Sequence, residues 1–215
     1  MNFAESIKVS VGRRILEKKI RSHNHNPIVC NIREAQKIGI IYNATESVSF
    51  EIIKDFTRRL AKGDTKVTIV GYVNSKKLID HYLYRKGFDF FSRNDLNWFY
   101  KPVSKVTESF MQQPFDILFN LSLEEYFPIQ YIVALSLASF KVGKYSSAEK
   151  NLDLMIDIES EKALMKELHN EIVLDSKKEI ASSDIEQDII KKTQTELQLG
   201  FLISQLMHYL ALLKK

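Results

Sequence analysis

A chain of 215 residues, 45% hydrophobic and 27% charged, is long enough to bury a full core and too apolar to be wholly disordered. Seven Gly and four Pro leave little room for a tight-turned all-β architecture, and a single cysteine, Cys30, excludes an internal disulfide and a cysteine-based zinc site. The net charge of +4 is unevenly placed: residues 1–22 carry six basic side chains against two acidic ones, so the remainder of the chain is balanced.

Residues 3–21 are expected to form a helix, with Phe3, Ile7, Val11 and Ile15 recurring every four residues and Leu16 and Ile20 continuing the apolar side; Val9 and Gly12 fit it poorly. The polar run SHNHNP (22–27) ends that helix, so 1–22 is read as a basic amphipathic helix and 23–36 as a linker, solvated around His23 and His25. From Lys37 onward an α/β domain, 37–215, is expected. KIGIIYN (37–43) is a short continuous apolar run of the kind buried on both faces. It is followed by a helix with Val48, Ile52, Phe56 and Leu60 on one side and Gly63 placed as its C-cap, and then by KVTIVGYV (66–73), a second such strand. Strand, helix and strand in this order make a βαβ unit with a parallel pair.

Beyond it the pattern predicts a short helix at 75–87, a strand at 88–92, a structured loop around Trp98, a short helix at 103–113 and a buried strand at 115–122. A helix at 126–139 with Pro128 in its first turn, a strand at 140–145 and another at 152–159 follow. Residues 160–183 are charged and read as a peripheral or mobile insertion. Asp184–Leu213 reads as one long helix with Ile185, Ile189, Leu197, Phe201, Leu206, Leu210 and Leu213 inward. The fold class is therefore α/β: a single doubly wound, mainly parallel, Rossmann-like sheet with a basic N-terminal helix and a long C-terminal helix.

A lone thiol points to a reducing compartment, and the cytoplasm is the expected location. Glu5, Lys8, Arg13 and Arg14 interrupt any secretory leader, and no run of about 18 apolar residues suggests a membrane span. No catalytic constellation is visible, and the expectation leans to a protein that is not an enzyme. The turn after the first strand, YNATES, has no glycine, and no P-loop occurs, so neither nucleotide fingerprint is present and no cofactor is assigned. His23 and His25 could bind a metal only with outside ligands. Asp153, Asp157 and Glu159 read as the solvent face of an edge strand, and no metal ligand is assigned.

Two regions remain as candidate sites. Open parallel sheets bind ligands beyond the carboxyl ends of their strands, where strand order reverses. If the strands ending at 43 and 120 are neighbours there, Asn43, Thr45, Asn120 and Ser122 face one cleft, with Glu124 the one candidate base for a phosphate- or sugar-bearing ligand. The same four residues are also ordinary turn and capping types. The second region is the basic helix, where Arg13, Arg14, Lys18, Lys19 and Arg21 cluster in nine residues. It reads as a surface helix packed on the domain, as a contact for RNA or a ribonucleoprotein, or as a segment lying on an anionic membrane surface. The leading reading is a binding module in which this helix docks an acidic partner, RNA first and membrane second.

KIGIIYNATE, VGYVNSKK, FDFFSRNDLNWFYKP, PFDILFNLS, FPIQYIVALSLASFKVGKYS and LDLMIDI together resemble a functionally uncharacterised family of small proteins, a domain of unknown function common in Bacteroidetes-type bacteria. The resemblance covers about residues 1–158 and the final helix near ISQLMHYL, with 160–195 an extension, and it implies no activity and no catalytic residue. PFDILFNLS…ALSLASFKVGKY is also similar in shape to the N-terminal half of heptosyltransferase-like glycosyltransferases. That likeness supports the sheet topology, while the second sugar-nucleotide domain of such enzymes has no room in this length.

Overall fold

Five consecutive residues of the first strand, Ile38 to Tyr42, are buried, as are the last five of the second and all of Ile117–Asn120. Burial of successive residues, which point to opposite faces, requires cover on both sides of a sheet. A computed structural model describes residues 3–61, 63–76, 86–147, 149–158 and 183–214 and supplies that cover. The elements run α1 (Phe3–Ser22), β1 (Lys37–Asn43), α2 (Ser47–Leu60), β2 (Lys66–Val73), β3 (Asp89–Ser92), α3 (Lys105–Met111), β4 (Ile117–Asn120), α4 (Phe127–Leu135), β5 (Phe140–Lys144), β6 (Leu154–Ile156) and α5 (Ser183–Leu212). A short 3-10 turn at Arg93–Asp95 follows β3.

The six strands form one sheet in the order β3-β2-β1-β4-β5-β6, and every pairing is parallel. This is a Rossmann-like α/β arrangement, and its order reverses between β1 and β4. The β1–α2–β2 and β4–α4–β5 units both connect parallel neighbours, as the apolar runs predict. In register, Ile40 lies between Ile69 and Phe119.

Alternate residues of β1 feed two cores. Ile40 and Tyr42 join Phe50, Phe56, Phe119, Leu202, Leu206 and Leu210 beneath α2 and α5. Ile41 joins Tyr72, Phe91, Phe110, Leu118, Tyr131 and Leu16 beneath α1, α3 and α4. Helix α4 is buried from Phe127 through Ala134, the signature of a helix enclosed on all sides, here between the sheet and α1. Pro128 sits in its first turn, where a missing N–H costs nothing.

Three expectations change in detail. The inner face of α1 is Gly12 and Leu16, flanked by half-buried Val9 and Ile20, whereas Phe3 and Ile7 are 84% and 50% exposed. Gly12, which had seemed a weakness, is the contact: a Cβ there would stand 2.4 Å from the Phe99 carbonyl oxygen and 2.7 Å from the Phe127 ring. In α5 the inward row is Leu199, Leu202, Ile203, Leu206 and Leu210, and Leu197 is 44% exposed. The C-cap of α2 is Ala61, whose N–H donates to the Thr57 carbonyl, while Gly63 takes φ +72° in the turn beyond.

Residues 23–36 are bonded to the domain at separate points between exposed residues. Ile28 N–H donates to Ser139 O, the Asn31 amide donates to Ala211 O and Leu213 O, and Ala35 is buried. The helix expected at 75–87 falls mostly outside the described residues, as does the insertion expected at 160–183. Among the described residues, no helix is long and apolar enough to cross a membrane.

Candidate functional site

The carboxyl ends of β1 and β4 are built alike. Asn43, closing β1, accepts on Oδ1 from the Thr45 backbone N–H (3.0 Å) and the Thr45 hydroxyl (2.6 Å), and Thr45 Oγ1 accepts from Asn74 N–H (2.9 Å). Asn120, closing β4, accepts on Oδ1 from Ser122 N–H (3.2 Å), and the Ser122 hydroxyl donates to Glu124 O (2.7 Å). Both are side-chain-capped turns that let a strand stop abruptly before a helix. The Glu124 carboxylate accepts from the Tyr126 hydroxyl (2.5 Å). Burial, and then that bond to a carboxylate, hold the Tyr126 phenol far above its ordinary pKa.

Strand adjacency brings the expected residues close, but into two small clefts rather than one. Asn43 and Glu124 border a space of about 40 Å³, and Asn120, Ser122 and Glu124 border a second of about 30 Å³; Glu124 is common to both. Thr45 is exposed and lines neither, and Trp98, 60% exposed, stays clear of them. Over the first cleft lies α5, whose Lys191 pairs with Glu46 at 2.5 Å while the Thr195 hydroxyl donates to the same carboxylate. No local pattern announces these contacts, the second of which joins residues 149 positions apart.

The flank of α1 is different. The helix is pinned by Glu5, whose carboxylate accepts from Arg93 and from the Tyr100 hydroxyl, and the guanidinium, bonded to that carboxylate, is held above its usual range. Tyr100 reaches this position from a left-handed backbone conformation, φ 65°. The Arg13 guanidinium lies over the Phe127 ring and the Lys19 ammonium over the Tyr131 ring, each 5.8 Å from the centroid, so two cations rest on the aromatic side chains of α4. Lys8, Arg14, Lys18 and Arg21 are exposed. Among the described residues, none of these six cations forms an ion pair with a carboxylate. Arg13 and Arg21 also border a groove of about 620 Å³ between α1 and Ser147, Glu149, Lys150 and Asn151.

Where α1 runs into the linker, His25 Nε2 meets the Asp153 carboxylate at 3.0 Å, and Asp153 also accepts from Lys141 N–H (2.8 Å). His23 Nε2 lies 3.3 Å from Ser136 O, and burial, then the nearby Lys141 ammonium, lower its pKa. Lys141 is 1% exposed, donates to Ala134 O, and is pushed down to about 8 by burial, against the opposing pull of Asp153 and Glu149. Asp153 is therefore engaged by the linker and β5. The histidines tie the linker to the edge of the sheet.

A six-stranded parallel sheet in this order, with helices on both faces, defines the chain as a Rossmann-like α/β domain. Within that class the chain belongs to a family of unknown function, DUF6913, whose model matches residues 8–173. No curated protein and no solved structure matches the chain.

Proposed function

We propose that this domain is a cytoplasmic, non-enzymatic binding module that holds an acidic macromolecule, RNA or a ribonucleoprotein, against the outer side of α1. The observation that carries the reading is a helix fixed to the core along Val9, Gly12, Leu16 and Ile20 whose clustered cations form no ion pair with a carboxylate among the described residues. Uncompensated positive charge on a rigid element attracts phosphates and releases their counterions. An interfacial membrane helix needs its apolar stripe turned toward lipid. Here Leu16 and Ile20 of that stripe pack into the core beneath α1, while Phe3 and Ile7 stay exposed, and the outward side of the second half presents Arg14 and Lys18.

Fluorescence anisotropy with mixed-sequence single-stranded RNA tests this. Binding is expected to weaken steeply with salt, and Arg14→Glu with Lys18→Glu should weaken it by about tenfold or more while leaving the circular dichroism unchanged. Binding to phosphatidylserine vesicles without RNA binding would move the reading to a membrane surface. Binding to neither would end it.

A second reading has its own observation: β1 and β4 are neighbours at the reversal of strand order, where such sheets take ligands, and Asn43, Thr45, Asn120, Ser122 and Glu124 lie at or just beyond their carboxyl ends. In that reading the turns hold a phosphate or sugar, with Glu124 as base. A thermal shift with glucose 6-phosphate that disappears in Asn120→Ala or Ser122→Ala would favour it.

A further inference from the structure

We infer that the groove between α1 and Ser147, Glu149, Lys150 and Asn151 is a binding site for a small organic anion, a phosphate- or carboxylate-bearing molecule with an apolar or aromatic body. The inference stands independently of the docking reading, because it uses the flank of α1 rather than its outer side.

Size comes first. At about 620 Å³ the groove falls within the range of ligand pockets, whereas the strand-end clefts, at about 40 and 30 Å³, hold little more than a water. Position is second. One wall is α1 and the other is the segment leaving the carboxyl end of β5, with Gln130 from the first turn of α4 between them. The groove therefore opens on the side of the sheet where parallel α/β folds carry their ligands.

Charge decides the ligand class. Arg13 and Arg21 stand on one wall, eight residues and so roughly 12 Å apart along the helix, and Lys150 stands on the other. None of the three is paired with a carboxylate among the described residues. Two carboxylates also line the groove, but they differ in availability. Glu149 is 8% exposed, and its Oε1 already accepts from Lys150 N–H, Asn151 N–H and the Asn151 amide, so it shapes the loop. Glu17 is exposed at the rim. Two arginines and a lysine thus line a space in which one carboxylate is internally satisfied. Guanidiniums recognise phosphate and carboxylate by paired hydrogen bonds.

The remaining lining specifies a body as well as a head. Leu16 and Ile20 provide an apolar wall, and Gln130, 7% exposed and donating from its amide nitrogen to Glu125 (3.4 Å), adds a polar side chain between the walls. A bare inorganic anion would leave the Leu16–Ile20 side unused.

The test is an amide-resonance titration of the full chain with adenosine monophosphate, octanoate and inorganic phosphate, paired with adenosine and octanol as uncharged counterparts, each to about 1 mM. The inference expects adenosine monophosphate or octanoate to shift Gln130, Ser147 and Asn151, with the uncharged counterpart at least about tenfold weaker. Which of the two binds separates a nucleotide-like from a fatty-acid-like body. Arg13→Gln with Arg21→Gln, and independently Lys150→Gln, should each weaken that binding about tenfold, while Arg14→Gln with Lys18→Gln changes it less than about threefold. Shifts by phosphate alone, equal binding of the uncharged partner, shifts mapping elsewhere, or no response to any probe would each overturn the inference. RNA binding lost with Arg14 and Lys18 while this binding persists would show the two proposals failing separately.

Discussion

The strand ends of β1 and β4 and the flank of α1 are both polar, yet they dispose of their polar groups in opposite ways. At the strand ends, Asn43 and Asn120 cap the turns that follow them, Ser122 and Thr45 bond to the chain, and Glu46 is paired by Lys191. Along α1, Lys8, Arg14 and Lys18 are exposed and form no ion pair among the described residues, and Arg13 and Arg21 line a groove. Topology places a crevice where strand order reverses, but in this chain the side chains that border it largely bond to one another. Groups left without a partner are the ones available to something outside the fold.

The strongest way to break the comparison is to remove α1 from the domain. Gly12→Leu would drive a side chain into the Phe99 carbonyl and the Phe127 ring, and should cost about 3 kcal/mol or more in chemical denaturation. Amide exchange should rise across α1 and α4 while β1 and β2 stay protected. Uniform loss of protection would mean that α1 is inseparable from the sheet, and the two regions would then be one unit.

Lys141 supplies the next largest effect, because its buried ammonium lies where the linker from α1 meets β5. Its pKa is about 8 in the folded chain against 10.5 for an ordinary lysine. Below pH 8 both folded and unfolded states hold the proton, and the burial cost is constant. Between 8 and 10.5 the unfolded state binds more protons, so stability should rise with pH, by about 3 kcal/mol in total. Tyr72, raised to about 12 by burial, opposes this only above pH 10. Lys141→Met should abolish the rise between pH 8 and 9.5 and be more stable than wild type at pH 7. A flat wild-type profile there would show the ammonium to be better solvated than its 1% exposure indicates.

Much of this architecture was legible because buried parallel strands announce themselves: KIGIIYN and KVTIVGYV have too many consecutive Ile and Val residues for a half-exposed strand. The inner face of α1 was misread for a physical reason. Phe3, Ile7, Val11 and Ile15 repeat every four residues, but a helix turns in 3.6, and the contact with α4 is made where a side chain is missing, at Gly12. In α5, apolar residues surround the helix, so Leu197 could not be told from Leu199 by period alone. Asn43-x-Thr45 and Asn120-x-Ser122 were visible as strand-end motifs. Their separation into two clefts, and the cover from Lys191, depend on contacts across the chain that carry no local pattern. The groove was invisible for the same reason: its walls come from α1 and the β5–β6 connection.

Smaller effects sharpen the contrast at the strand ends. Asn120 is 9% exposed, so Asn120→Ala leaves the Ser122 N–H buried without its acceptor and should cost about 1–2 kcal/mol by urea denaturation. Asn43 is half-buried, water can replace its oxygen, and Asn43→Ala should cost about 0.5 kcal/mol. Equal costs would show that the two turns, alike in hydrogen bonding, are also alike in solvation.

The smallest effect belongs to Tyr131, on the face of α4 beneath α1. Its hydroxyl is buried with no hydrogen-bond partner among the described residues, and Lys19 stands 5.8 Å over its ring. Removing an unsatisfied buried hydroxyl relieves a desolvation cost, and phenylalanine keeps both the packing and the ring beneath the cation. Tyr131→Phe should therefore lie within about 0.5 kcal/mol of wild type or slightly above it in stability. A loss of more than about 1 kcal/mol would mean that the hydroxyl has a partner in solution. The flank of α1 would then be satisfied from within, as the strand ends are, and the contrast between the two regions would narrow to the cations alone.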